Sequence, residues 1–238
     1  NVKVGEGNVQ AEAREVRYLA LGGWADQRGL QAIATAHHAD DQAETLLMRL
    51  NRGSGVAGLA GVREASWLLG FDCDVVRPLL GFRRSELAGV VEASGIETVS
   101  DPSNSDERFD RVRIRKALAS TDWLDPLAIS RSASNLADAD DALSVFANST
   151  WKEIAKREGD AITIVPCATR AILLRIVERA LRQLGGEPRG GDVANLVERL
   201  MICNNASLAG VLVTVEGEWG KAEPPRWLFR PEPPRKTG

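Results

Sequence analysis

Apolar and polar positions along this chain switch between two periods, and the switches mark out its elements. Val9, Ala13, Val16, Ala20 and Trp24 recur at helical spacing, so a helix is expected from residue 9, opened by Asn8 and closed at Gly29. Residues 30–36 are a short apolar run and read as a buried strand. A second helix is expected over residues 39–50, stopping in the glycine-rich stretch 53–61. Residues 67–71 and 74–76 read as short strands, Arg77-Pro78-Leu79-Leu80-Gly81-Phe82 as a turn, and residues 83–94 as a helix ended by Gly95. Asp101-Pro102-Ser103-Asn104 has turn composition, and residues 108–118 read as a basic helix.

A domain boundary is expected near residues 119–124, because Asp125-Pro126 is a helix start with proline at the first helical position. From there to about residue 156 the pattern predicts one long helix, or two collinear ones, with Leu136, Leu143, Ala147, Thr150 and Ile154 on one side. A strand over 161–165, helices over 168–184 and 192–202, and a strand over 208–215 follow. The tail from Glu223, carrying Pro224, Pro225, Pro231, Pro233 and Pro234, is expected to be irregular. The fold class is therefore α/β: a partial Rossmann-like layer over residues 1–120, then a mainly α-helical domain with short strands over 121–238. One parallel strand cannot make a sheet. The strand at 30–36 is expected to be an exposed or wrongly covered edge, with its partners upstream of Asn1.

Composition changes this picture little. The chain has 238 residues, 44% apolar and 26% charged, and no apolar run approaches the roughly eighteen residues a bilayer span needs. Cys73, Cys167 and Cys203 are scattered and odd in number, so neither a disulfide framework nor structural zinc is expected and a cytoplasmic location is the default. The net charge of −3 is evenly spread: residues 1–118 carry 15 basic and 17 acidic side chains. Any nucleic-acid partner must be held by local patches.

Candidate chemistry concentrates in Ala36-His37-His38-Ala39-Asp40-Asp41-Gln42-Ala43-Glu44-Thr45, which contains both histidines. On a continuous helix, His37, Asp41, Glu44 and Met48 would share one face. Three readings stand: a metal site, acids placed to favour a helix N-terminus, or a polar active-site face that binds a cationic substrate and handles protons. Arg49-Leu50-Asn51-Arg52-Gly53-Ser54-Gly55 fits either a phosphate-binding loop or a helix C-cap. Arg108, Arg111 and Arg115 form one basic stripe, suited to phosphates or to a solvated face. Arg175, Arg179 and Arg182 form a second.

In order and spacing, several motifs of this chain resemble the tRNA(Ile)-lysidine synthetase family. They are Gly7-Asn8-Val9-Gln10-Ala11-Glu12-Ala13-Arg14-Glu15-Val16-Arg17-Tyr18, the block Thr35 to Thr45, Arg52-Gly53-Ser54-Gly55, Arg77-Pro78-Leu79-Leu80, Asp101-Pro102-Ser103-Asn104 and Arg111-Val112-Arg113-Ile114-Arg115. The resemblance covers roughly residues 5–120 closely and 120–220 more loosely. It implies an ATP-pyrophosphatase-type (PP-loop) catalytic domain followed by a tRNA-binding domain. The implied activity is an ATP-dependent ligase, with ATP as substrate accompanied by Mg2+, that adenylates C2 of the wobble cytidine of a CAU-anticodon isoleucine tRNA. Free L-lysine then displaces AMP. The resemblance implies catalytic roles for His37, Asp41 and Glu44, with Asp41 and Glu44 holding the lysine, no metal held by the chain itself, and tRNA contacts from Arg14, Arg17, Arg52, Arg111 and Arg115.

Two departures stand out. The family's Ser-Gly-Gly-x-Asp-Ser nucleotide loop is absent from this sequence, so no ATP-binding residues are assigned and the chain is expected to be a fragment of the enzyme. Val112 stands where the family often has Asn. The alternatives are a non-catalytic RNA-binding remnant and a metal-dependent hydrolase built on His37, His38 and Asp41.

Overall fold

The computed structural model describes residues 9–98 and 110–233. The Gly7-Asn8 helix entry, the Asp101–Asn104 turn, Arg108 and the last residues of the tail lie outside them. Two compact units divide the chain, Asn1–Asp140 and Asp141–Gly238.

The first unit opens with α1 (Val9–Arg28), which stops where Gly29 takes a positive φ of 62°. β1 (Ala32–Ala34) follows and is shorter than its apolar run, with only Ile33 buried. The reason is local: the amide of Leu30 still donates to the Ala25 carbonyl of α1, so the chain straightens late. α2 (Ala39–Asn51) and the one-turn α3 (Val56–Leu59) lead to β2 (Ala65–Trp67) and β3 (Asp74–Val76). The three strands form a sheet of order β1-β3-β2, with β1 parallel and β2 antiparallel to β3. Partners for β1 were expected upstream, yet β3 supplies one from downstream, and β1 is an edge of this sheet among the described residues. Ile33, Ala25 and Cys73 form a small core against α1, where Gly22 is required because a Cβ there would fall 2.4 Å from the Phe71 ring.

The unit continues through α4 (Arg84–Ser94) and α5 (Asp110–Ala119), with Gly95 in the left-handed conformation ending α4 as expected. α6 (Pro126–Ile154) is one helix; Asp125 caps it by accepting from the amides of Leu127 and Ala128. The division between the units falls inside α6, at Asp140–Asp141, and so within the helix expected to open the second domain. Its first part belongs with the first unit, where Ser130 donates to the Leu80 carbonyl and Asp140 accepts from Arg63.

The second unit is more sheet-like than its sequence suggests. β4 (Ala155–Glu158), β5 (Ala161–Ile164), β6 (Ala206–Leu208), β7 (Val211–Glu216) and β8 (Arg226–Pro231) form a five-stranded sheet of order β4-β5-β8-β7-β6, every pairing antiparallel. α7 (Arg170–Gln183) and α8 (Gly190–Met201) contribute Ile172, Leu173, Ile176, Val177, Leu196, Val197 and Leu200 to the core against it.

Three expectations need correction. The run 208–215 is not one strand: Ala209 and Gly210 both have positive φ and turn it into a β6–β7 hairpin. The long helix ends at Ile154, since residues 155–158 are drawn into pairing with β5. The proline-rich tail contains the central strand β8. Its prolines flank the strand or sit at its last position, where a missing amide costs no ladder bond, and Trp227 and Phe229 alternate into the core.

Candidate functional site

The site is built where β1 and β3 end, the C-terminal edge of a parallel pair, where open α/β sheets commonly place ligands. The Thr35 amide extends the pairing to the Val76 carbonyl, which aligns the chain leaving β1 with the start of the Arg77-Pro78 turn. Thr35 Oγ1 then lies 2.9 Å from His37 Nδ1.

His37 precedes the helix rather than standing on it, because α2 starts at Ala39. His38 is the N-cap. Its Nδ1 accepts from the Asp41 amide at 3.3 Å, while its own amide donates to Asp41 Oδ2 at 3.1 Å. This is a capping box with imidazole in place of the usual hydroxyl, and it requires the His38 proton on Nε2. Asp40 is likewise engaged locally, accepting from the Arg84 amide that begins α4. Helix-terminus chemistry therefore accounts for His38, Asp40 and one oxygen of Asp41.

The remaining polar groups of α2 reach across the fold. Glu44 is only 2% exposed and accepts from Arg111 Nε at 2.6 Å, Arg115 Nε at 2.7 Å and Arg115 Nη2 at 3.2 Å. Arg111 Nη2 also donates to Asp41 Oδ1 at 2.8 Å, so one guanidinium bridges both carboxylates. The two arginines stand at i and i+4 on α5 and point together at the acidic face of α2. The Glu44 hydrogen bonds raise the pKa of Arg115 further, outweighing its burial. The basic stripe is thus neither a solvated face nor a free phosphate platform in this state. Val112 is buried beside it.

A second face of α2 holds the glycine-rich stretch. Gln42 pairs with both backbone groups of Val62, at 2.8 and 2.7 Å, and Gly61 must lack a Cβ because one would fall 2.5 Å from Gln42 Oε1. Arg49 donates to the carbonyls of Gly58 and Gly61 at 2.6 and 3.0 Å. The stretch after α2 is therefore a C-cap, with Gly53 at a φ of 68°, and Arg49 binds carbonyls rather than an anion. Sequence reasoning missed the roles of Gln42 and Arg49, although their spacing at i and i+7 marks a shared face. It also missed the clamp made by Arg77, which is 5% exposed and donates from Nη1 to the Arg63 carbonyl, Ser66 Oγ and the Val75 carbonyl.

The other candidate arginines lie outward. Arg14 stacks over the Tyr18 ring at 5.1 Å, Arg17 is exposed, and Arg52 pairs with Asp110 beside a cleft of about 370 Å³ lined by Met48, Asn51, Arg113 and Ile114. Among the described residues, no group of three or more His, Cys, Asp or Glu side chains could hold a metal ion. No helix described is long and apolar enough to cross a membrane.

Burial lowers the His37 pKa from the ordinary 6.5, reinforced by the charges of Arg14, Arg77 and Arg111 and opposed by Asp41. The imidazole is therefore neutral at pH 7, free to accept a proton. The unfolded chain binds a proton at His37 more readily than the folded one, so this group's contribution to stability falls as pH drops from 6.5 toward its folded pKa. A histidine titration by NMR, with only two imidazoles to assign, should place His37 below 6.5. A His37 midpoint at or above 6.5 would contradict the lowering.

The sequence pattern of the PP-loop domain family, an ATP-using fold, matches residues 1–121. The chain is 45% identical to the tRNA(Ile)-lysidine synthase of Novosphingobium aromaticivorans over 232 residues, covering 96% of this chain and 69% of that protein. The enzyme of the same name from Zymomonas mobilis is 38% identical over 240 residues, covering 98% and 69%. That of Ruegeria pomeroyi is 37% identical over 222 residues, covering 90% and 52%. With its paired carboxylates and neutral imidazole at the end of a parallel strand pair, and with relatives matching it along nearly its whole length, the chain belongs to the tRNA(Ile)-lysidine synthase family of ATP-dependent ligases.

Proposed function

We propose that this chain carries the lysine-transfer half of a ligase that joins free L-lysine to C2 of the wobble cytidine of a CAU-anticodon isoleucine tRNA. ATP, as its Mg2+ complex, adenylates the C2 oxygen and releases pyrophosphate. The ε-ammonium of lysine first gives up a proton, and the amine so formed attacks C2 as the C2–O bond breaks and AMP leaves. The chain's own residues bear on the second step. His37, neutral at pH 7, takes that proton, and Asp41 with Glu44 receives the lysine ammonium beforehand.

The observation that carries this reading is the bridge from Arg111 to Asp41 and Glu44, which lie two and five residues into α2 from the end that His37 precedes. Two carboxylates are balanced by two guanidiniums there, so an incoming ammonium must displace one. Arg111 is the candidate, being the more exposed of the pair at 37%. Its release toward an RNA phosphate would open the acidic pair as the tRNA arrives. Arg14, Arg17 and Arg52, on the surface, would then hold the RNA alongside Arg111 and Arg115.

The test is transfer of labelled lysine to CAU-anticodon tRNA already adenylated at C2, by the unaltered chain and by Asp41→Asn. Incorporation is expected from the first, with a raised lysine KM in the second and tRNA binding retained. Tight tRNA binding with no incorporation by the unaltered chain would favour a non-catalytic RNA-binding role instead.

A further inference from the structure

Neither the helix caps nor the paired carboxylates account for the side chain of Thr35. The chain is pinned on both sides of His37. The Thr35 amide donates to the Val76 carbonyl at 2.9 Å, the Ala39 amide donates to the Phe82 carbonyl at 2.9 Å, and His38 is locked in its capping box with Asp41. A β-branched side chain on a backbone held in this way has few χ1 choices. The Thr35 hydroxyl is therefore a fixed point, and it meets the imidazole at Nδ1. His37 Nε2 has no hydrogen-bond partner among the described residues, and it is not one of their sealed, unpaired polar atoms, so it stands open to an arriving group. One ring nitrogen is tethered and the other is open.

The tether decides which proton the ring can handle. A hydroxyl can donate or accept, so two tautomers fit the contact. If the hydroxyl donates, the ring proton sits on Nε2 and the open nitrogen has no lone pair. If Nδ1–H donates to Oγ1 instead, the lone pair is on Nε2. Only the second tautomer makes His37 a base toward the open side of the site. An arriving ammonium, which can only donate, selects the same form. His38 stands in the opposite state: its Nδ1 accepts from the Asp41 amide, so its proton is on Nε2. The neighbouring imidazoles thus carry their protons on different nitrogens.

We propose that Thr35 is a positioning residue that holds His37 as its Nδ1–H tautomer and so presents Nε2 as the atom that takes the lysine proton. In that step an N–H bond of the ammonium breaks, an Nε2–H bond forms, and the imidazolium keeps its Nδ1–H hydrogen bond to Oγ1. Nε2 returns its proton to water after AMP has left. The proposal rests on the reading of His37 as the base of lysine transfer, and adds to it the atom that acts and the group that selects it.

The test reads the ring first and the reaction second, both on the full 238-residue chain. Nitrogen NMR of the two imidazoles, at a pH where both are neutral, should show His37 protonated on Nδ1 and His38 on Nε2. Thr35→Val keeps the shape and the sheet amide but removes the acceptor. It should move His37 toward the Nε2 form and leave His38 as it was. In transfer of labelled lysine to CAU-anticodon tRNA already adenylated at C2, Thr35→Val should lower kcat roughly tenfold with the lysine KM unchanged, a part of the hundredfold or more that a positioned base contributes. Thr35→Ser, which restores the hydroxyl, should recover most of that loss and the Nδ1 form. A His37 proton on Nε2 in the unaltered chain would overturn the proposal however the variants fold, and would leave lysine transfer itself intact. Equal losses in Thr35→Val and Thr35→Ser, or a full kcat in Thr35→Val, would overturn it too. Absence of transfer by the unaltered chain would overturn the base reading and the role of Thr35 together, whichever tautomer is found.

Discussion

Replacing Arg111 and Arg115 together by alanine is expected to cost more stability than the two single replacements summed. Each single variant leaves Glu44 one guanidinium, and losing one charge-assisted hydrogen-bonded partner costs about 1.5–3 kcal/mol. The double variant strands a carboxylate that is 2% exposed with neither of its ionic partners. An uncompensated buried charge adds a penalty that takes the total toward, or beyond, about 5 kcal/mol, a large part of a typical domain's stability. Chemical denaturation of the four species of the cycle measures the coupling. Adding Glu44→Gln to the double variant should recover much of the loss, because it removes the buried charge itself. Additive singles would mean that Glu44 is rehydrated at little cost, and the three groups would then not be a structural unit. The same geometry changes how Glu44 variants are to be interpreted. A fall in lysine transfer by Glu44→Gln would mix a binding effect with loosening of α5 from α2, so Asp41→Asn is the cleaner probe.

Trp227→Ala should lower the stability of the second unit by about 3–5 kcal/mol, the usual cost of emptying a fully buried aromatic site. Trp227 and Phe229 are 0% exposed and sit on β8, between β5 and β7. The indole Nε1 is buried without a hydrogen-bond partner, which already costs the native state some free energy. Trp227→Phe, which discards that orphan donor and keeps most of the ring, should therefore be far milder than alanine. Ending the chain at Glu223 would remove the middle strand outright and leave β5 and β7 as facing, unpaired edges. The second unit should then lose its cooperative unfolding transition, read by near-ultraviolet circular dichroism. A truncated chain that still melts cooperatively in that unit would show that β8 is dispensable.

These expectations divide along the line between local and distant causes. The helices were legible because their causes are local. Proline at the first position and Asp125 before it start α6, Gly29 and Gly95 stop α1 and α4, and the apolar stripe of α7 needs no knowledge of what it packs against. The chemical segment was legible for a similar reason: two histidines, three acids and two arginines in sixteen residues are difficult to explain as packing.

The sequence by itself settled which residues are chemically unusual and which stretches are helical, since both depend on neighbours within a few positions. Partnership was decided by the tertiary structure alone. Glu44 and Arg111 are 67 residues apart and Glu44 and Arg115 are 71 apart, and no periodicity links them. For the same reason the acids expected to stand open for a substrate were found holding α5 in place. β8 was hidden because prolines crowd its flanks, while the register that makes Trp227 oppose Ile164 and Val215 exists only once three separated strands meet. A strand's stability comes from its neighbours in space, and a helix's hydrogen bonds come from its neighbours in sequence.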